Sequence, residues 1–195
     1  NAMTIPMITF DEGEALLNWM GFIDALAAGH ALPKAEIADT FLYRGKDTLL
    51  NRAAWIDGMG LAVKSATVFP GNPAQGKAMV NGGVALYADS DGMLEALIDF
   101  HLVTKWKTAG DSLLAATRLA RPNSRNIPIV GAGTVGRSLR QAYGAAFPGA
   151  QFTIWNRTVA SAQTSGLESP WLLQPADMEA AVRGADIITS ATMST

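Results

Sequence analysis

Between Asp11 and Leu32 the apolar residues Ala15, Leu16, Trp19, Met20, Ile23, Leu26 and Ala27 recur at three- and four-residue spacing, the period that lays one face of an α-helix on a core. The pattern predicts one amphipathic helix, started by Thr9 or Asp11, whose short side chains can accept the first free backbone N–H groups. The next stretch changes character. Thr40–Arg44, Thr48–Leu50, Leu61–Phe69 and Val84–Ala88 are short β-type runs parted by Gly-, Asn- and Asp-rich turns, which predict a mainly antiparallel sheet. Leu102–Leu119 returns to helical spacing and stops at Ala120-Arg121-Pro122-Asn123-Ser124, where proline removes a backbone donor. Beyond that connector the chain alternates strand, glycine turn, helix, strand, helix, strand, the order of a parallel α/β sheet. We therefore expect an N-terminal α+β domain over residues 3–121 and a second, α/β domain over 122–195. Asn1-Ala2 before Met3 reads as the remnant of an expression tag and is left out of the fold.

The second domain opens with an apolar run, Ile127–Val130, that feeds Gly131-Ala132-Gly133-Thr134-Val135-Gly136, and Leu139, Ala142, Tyr143 and Ala146 then continue at helical spacing. Strand, GxGxxG, helix is the frame of a Rossmann dinucleotide site. Gly131 permits the tight turn, Gly133 lets backbone approach a pyrophosphate, and Gly136 lets helix and strand pack closely. The N–H groups of Thr134 and Val135 open the helix and face the anion with its positive dipole end. A second strand, Gln151–Trp155, ends about twenty residues after Gly136, where an NAD site commonly carries an acid for the ribose hydroxyls. Here the chain reads Asn156-Arg157-Thr158. Arg157 can grip a 2′-phosphate with two prongs while Asn156 and Thr158 add hydrogen bonds, so NADP(H) is the expected cofactor and NAD(H) the alternative. Otherwise Arg157 is a solvated turn residue. A third strand, Asp186–Ser190, is expected after Glu179–Arg183. It delivers Ala191 and Thr192, small residues suited to the crevice at a strand's carboxyl end.

Composition narrows the partners. Fifteen Lys+Arg against seventeen Asp+Glu give a formal charge of −2, without the basic excess a nucleic-acid binder needs. No apolar stretch reaches the length of a membrane helix, and no basic leader precedes an apolar one. The chain therefore reads as soluble and cytoplasmic. It has no cysteine, and its two histidines, His30 and His101, lack metal-ligand spacing, so no metal site is expected.

Two further segments in fixed order, Val63-Lys64-Ser65-Ala66-Thr67-Val68-Phe69-Pro70-Gly71-Asn72-Pro73 and Thr104-Lys105-Trp106-Lys107-Thr108-Ala109-Gly110-Asp111-Ser112, join the glycine motif. From about Asp11 onward the combination resembles the ornithine cyclodeaminase/μ-crystallin family. The resemblance implies a substrate domain that also forms a homodimer, joined to a Rossmann domain, with chemistry that runs through a small α-imino acid. It implies that Lys64 contacts the substrate carboxylate and that Thr108 lies near the cofactor. Lys107 stands where the family usually has arginine, which keeps the charge but not the planar fork. The family's upstream arginine matches either Arg44 or Arg52, with Arg52 preferred. Met79 replaces a hydroxyl-bearing threonine of the cyclodeaminases, either as a specificity change or as a space-filler. Asp111, one turn beyond Lys107, either orients it or caps neighbouring backbone. Gly71-Asn72-Pro73 shapes a tight loop. The resemblance also places a catalytic aspartate and the remaining Rossmann strands beyond Thr195, with Asp99 and Asp111 the nearest other carboxylates.

The expected function is an NADP(H)-dependent oxidoreductase that reduces a small α-imino acid, of ketimine reductase or amino-acid dehydrogenase type. The alternatives are an ornithine cyclodeaminase-type lyase with bound NAD(P), and a non-catalytic NADPH-binding protein of crystallin type.

Overall fold

The computed structural model describes residues 4–157, 172–173 and 178–192. They fall into two compact units: one takes the chain up to Leu17 with Ala27–Thr104, the other Asn18–Leu26 with the chain from Lys105 on.

The first unit starts with a two-residue strand, β1 (Met7–Ile8), and a short helix, α1 (Phe10–Leu16). Of the two expected caps, Thr9 serves. Its hydroxyl accepts from the Glu12 amide while the Glu12 side chain returns to the Thr9 backbone, a complete capping box. These hydrogen bonds hold the Glu12 carboxyl below its ordinary range. The single helix expected over 11–32 is in fact two. Leu17 is extended, and Asn18 turns its side-chain oxygen onto the Gly21 amide at 2.8 Å, starting α2 (Trp19–His30). An asparagine that can bond nearby backbone competes with helix continuation, and apolar periodicity is blind to that competition.

The sheet then runs β2 (Glu36–Arg44), β3 (Asp47–Ile56), β4 (Gly60–Val68), β5 (Val80–Tyr87) and β6 (Leu94–Asp99). Its spatial order is β1-β6-β5-β4-β3-β2, antiparallel throughout except for β1 on β6. β2, β3 and β5 are longer than their β-type runs, β4 matches its run shifted back by one residue, and β1 and β6 are additions to the expected set. Asn72 to Gln75 form a 3-10 turn, tied by Asn72 Nδ2 donating to the Ala78 carbonyl at 2.9 Å. The unit's core is Ala66, Val84, Ala96, Phe100 and Leu102.

A long helix, α3 (Phe100–Leu119), passes from the first unit into the second. There Trp106 stacks on Trp19 at 4.0 Å. The second unit's sheet is parallel: β7 (Asn126–Val130), β8 (Gln151–Trp155), β9 (Leu172–Leu173) and β10 (Thr189–Ser190), in spatial order β10-β7-β8-β9. Among the described residues two helices interleave, α4 (Thr134–Ala146) and α5 (Met178–Arg183). β9 is one strand more than expected, and the third strand expected over 186–190 is reduced to Thr189–Ser190. The first strand thus lies between the second and the last, so the sheet contains the reversal of strand order at which α/β folds hold ligands. Leu113, Ile127, Ile129, Leu139 and Ile154 are the large side chains fully buried here, each contributing about 1.5–3 kcal/mol by leaving water. The Tyr143 hydroxyl, on a residue 3% exposed, pairs with Ser112 Oγ at 2.9 Å and ties α3 to α4.

Asp186 is not a strand residue because its carboxylate has another task. It accepts from the amides of Arg125 and Asn126 at 2.8 and 3.0 Å and from Arg121 Nη2 at 2.5 Å. The backbone hydrogen bonds from Arg125 and Asn126, and then the guanidinium, hold its carboxyl below its ordinary value of 3.8. A carboxyl depressed by folding contributes stability above its unfolded-state pKa, and that contribution is lost as pH falls through the lower folded-state value. Thermal melts of wild type and Asp186→Asn should therefore differ at neutral pH and converge on acidification below about 4. A gap that persists at the acid end would show that shape, not charge, explains the Asp186 latch.

Candidate cofactor and substrate sites

The glycine loop is built from steric exclusions. Gly131 has φ 110°, and its amide donates to the Trp155 carbonyl at 2.8 Å. A Cβ there would stand 2.9 Å from the Ala191 carbonyl oxygen and 3.2 Å from Thr192 Cγ2, and a Cβ on Gly136 would stand 2.0 Å from the Gly131 carbonyl oxygen. Gly133 differs. It is exposed, has ordinary φ of −75°, and a Cβ added to it would meet nothing within 4 Å. The loop therefore needs Gly131 and Gly136 for its own packing, while the surface over Gly133 is an open cradle. α4 starts there without a side-chain cap, so its first amides, at Thr134, Val135 and Gly136, remain for an anion.

The flanking elements converge on this loop. Asn156, just past β8, accepts from the Ala132 amide at 3.5 Å, so its side chain supports the loop. Arg157 follows it and is exposed. Ala191 and Thr192, just past β10, reach the other side of the loop, the Ala191 amide donating to the Val130 carbonyl at 2.7 Å. Gly131, Gly133, Thr134, Val135, Gly136, Asn156, Ala191 and Thr192 thus form one cluster, with Arg157 beside it. Thr158 lies outside the described residues. A dinucleotide fits this cluster, since its pyrophosphate would occupy the open space at Gly133.

On α3, Lys107 and Thr108 are both exposed, and Lys107 Nζ pairs with Asp111 at 2.7 Å. The orienting role is the one the geometry supports for Asp111. In the first unit, Lys64 is half-buried on β4 and is the cross-strand partner of Arg52. Arg52 donates through Nε and Nη2 to both Asp39 oxygens, at 2.7 and 2.6 Å. Arg44, the other arginine considered, sits at the hairpin end, paired with Asp47 at 2.9 Å and lying over the Phe69 ring. The structure thus places Arg52, not Arg44, beside Lys64. Met79 is half-buried, its carbonyl accepting from the Phe69 amide at 2.8 Å. Asp39 is a site neighbour that motif and spacing alone do not single out. The signal for it was the two-residue Gly45-Lys46 loop, because counting outward in pairs from Arg44 and Asp47 brings Asp39 opposite Arg52.

Among the described residues no cluster of three or more His, Asp or Glu could hold a metal ion, and no helix is long and apolar enough to cross a membrane.

With this geometry in hand, the chain can be set beside known proteins. It is 43% identical over 192 residues to a Delta(1)-pyrroline-2-carboxylate reductase of Paracoccus denitrificans (strain Pd 1222), covering 95% of this chain and 60% of that protein. Among solved structures it resembles the Delta(1)-pyrroline-2-carboxylate reductase of Thermococcus litoralis, determined with NADH and L-proline, at a TM-score of 0.77 and 22% identity, over 96% of this chain and 62% of that one. An archaeal alanine dehydrogenase dimer with bound NAD aligns at a TM-score of 0.74 and 23% identity, over 98% and 57%. The two structural likenesses show a shared fold, and the chain spans less than two thirds of each of these relatives. The sequence match to the Ornithine cyclodeaminase/mu-crystallin family runs over residues 53–195, taking in Lys64, Lys107 and the whole glycine loop. The chain belongs to that family.

Proposed function

We propose that the protein acts as an NADP(H)-dependent oxidoreductase that reduces a small α-imino acid. The observation that carries this reading is the open cradle at Gly133 with Arg157, and no acid, at the end of β8. The family membership and the pyrroline-2-carboxylate reductase relative support the imino-acid substrate.

When bound, the nicotinamide supplies hydride to the C=N carbon. The chain's own residues bind and orient. Gly133 and the amides of Thr134 and Val135 would hold the pyrophosphate, and Arg157, Asn156 and Thr158 the adenine ribose with its 2′-phosphate. Ala191 and Thr192 line the strand ends, and Thr108 is a cofactor contact on α3. Lys64, partly withdrawn from water, would attract the substrate carboxylate. Arg52 stands beside it as a second substrate-binding cation, its charge largely offset by Asp39; in the second unit Lys107, steadied by Asp111, is the family-implied ligand for substrate. Fixing the carboxylate orients the imine, and orientation supplies much of the rate.

Consumption of NADPH should be followed with cyclic imino acids, with pyruvate plus ammonia, and with ornithine. Turnover of the imino acids is expected; turnover of ornithine without added NADPH would instead favour a lyase. Lys64→Ala should lower kcat/KM about tenfold or more, the size of a lost charge-assisted contact, with NADPH affinity unchanged. An unaltered kcat/KM would remove Lys64 from the substrate site.

Assembly follows from the first unit. All of β2 is exposed, and Ile37, Leu42, Tyr43 and Trp55 stand 63%, 59%, 72% and 50% exposed, beside a shallow apolar depression between Ala38, Ala53 and Val63. An uncovered edge strand of this kind invites pairing, and we assign it to a second copy of the chain; that the archaeal alanine dehydrogenase of the same fold is a dimer supports a two-copy assembly. Sedimentation velocity of full-length protein should show a dimer that a Leu42→Lys change weakens.

A further inference from the structure

Three charges lie in a row across the first unit's sheet. Asp39 on β2, Arg52 on β3 and Lys64 on β4 are successive cross-strand partners, so they stand on one face of the sheet. The row continues on β5 and β6 with Val84 and Ile98, which are apolar. Both prongs of the Arg52 guanidinium are taken by Asp39, whose side chain is 27% exposed against 54% for Arg52. The Arg52 hydrogen bonds, aided by the charges of Arg52 and Lys64, hold the Asp39 carboxyl below its ordinary range, so Asp39 is an anion at neutral pH. Two cations and one anion leave the row with a single net positive charge. An arginine whose fork is filled has no second bidentate grip to offer.

We propose that Asp39 is a specificity-determining residue: by filling the Arg52 fork and cancelling its charge, it matches the row to one carboxylate, so that the site accepts monocarboxylic imino acids and rejects dicarboxylic ones. The proposal rests on the reading that Lys64 meets the substrate carboxylate. A second carboxylate on the substrate would face the Asp39 anion without a cation of its own, and selectivity then comes from repulsion as much as attraction.

The test is calorimetric titration of full-length protein with two planar, unreactive acids, pyrrole-2-carboxylate and pyrrole-2,5-dicarboxylate. Wild type should prefer the monoacid. In Asp39→Asn the ratio of the two affinities should move toward the diacid by about tenfold or more, the effect of one unit charge acting through partly solvated space. Asp39→Asn/Arg52→Gln removes one charge of each sign and should return the ratio close to wild type. A ratio unchanged in Asp39→Asn, with both acids weakened by Lys64→Ala, would overturn the role of Asp39 and leave the Lys64 reading standing. Undiminished binding of both acids in Lys64→Ala would overturn that reading and the proposal with it. Should Asp39→Asn fail to fold, Arg52→Gln asks the same question with opposite sign: removal of a cation beside Asp39 should sharpen rejection of the diacid about tenfold, and an unaltered ratio would overturn the proposal.

Discussion

Gly133→Ala is expected to fold with wild-type stability and yet lose most of its dinucleotide affinity, while Gly136→Ala should lose the fold of the second unit. The two glycines stand three residues apart in one motif, but their surroundings are opposite. A methyl on Gly136 would be driven to 2.0 Å from the Gly131 carbonyl oxygen, and backbone cannot swing away as a flexible side chain would. Ordinary overpacking costs about 1–3 kcal/mol; a collision with the loop's own backbone should exceed it and register as a collapsed melting temperature. A methyl on Gly133 meets no protein atom within 4 Å but occupies the space where a pyrophosphate would touch backbone, so at least tenfold weaker NADPH binding is expected, or about 1.4 kcal/mol. Melting curves without nucleotide and fluorescence titrations with it separate the two effects. If Gly133→Ala binds NADPH as wild type does, the cradle is not the cofactor site.

Arg157→Ala should erase a preference for NADPH over NADH. A bidentate contact to a phosphate contributes about 1.5–3 kcal/mol, so wild type should favour NADPH by tenfold or more, and the variant should bind both cofactors about equally because NADH never used the contact. Arg157 is exposed at the end of β8, beside Asn156. Asn156 is itself engaged with the Ala132 amide, so in the proposed NADP(H) reading the guanidinium would be the principal group for a 2′-phosphate. Equal affinities for the two cofactors in wild type would refute the assignment.

The glycine loop and the first helix cap were legible in the sequence because each has a local cause. Gly131, Gly133 and Gly136 occupy positions whose neighbours are fixed by a few residues of turn and helix, and Thr9 with Glu12 spells a cap within four residues. What the sequence concealed depended on distant pairing. Leu94–Asp99 contains Glu, Ala and Asp, poor strand formers whose place is decided by β5 and β1 on either side. β9 is two residues long and is defined only by its ladder to β8. Asp186 looked like the start of a strand because its partners, Arg121, Arg125 and Asn126, lie some sixty residues earlier. Asp39 likewise acquires meaning only from register. The break at Asn18 is the exception, a local signal that apolar periodicity outweighed.

The order β10-β7-β8-β9 also sets a timetable for folding. The strand that leads into the glycine loop, β7, can pair with β8 soon after both leave the ribosome, but its other neighbour, β10, arrives only some sixty residues later. Among the described strands of this sheet, closing that contact is the least local pairing, and such steps are slow. Until then β7 offers an open edge carrying Ile127 and Ile129, and an unpaired apolar edge is prone to misassociation. The Asp186 carboxylate, three residues ahead of β10 and bonded to the backbone at the mouth of β7, is placed to guide the late strand into register. The β10 flank of the glycine loop would then close late, and a ligand held against that loop would act as a brake on its reopening.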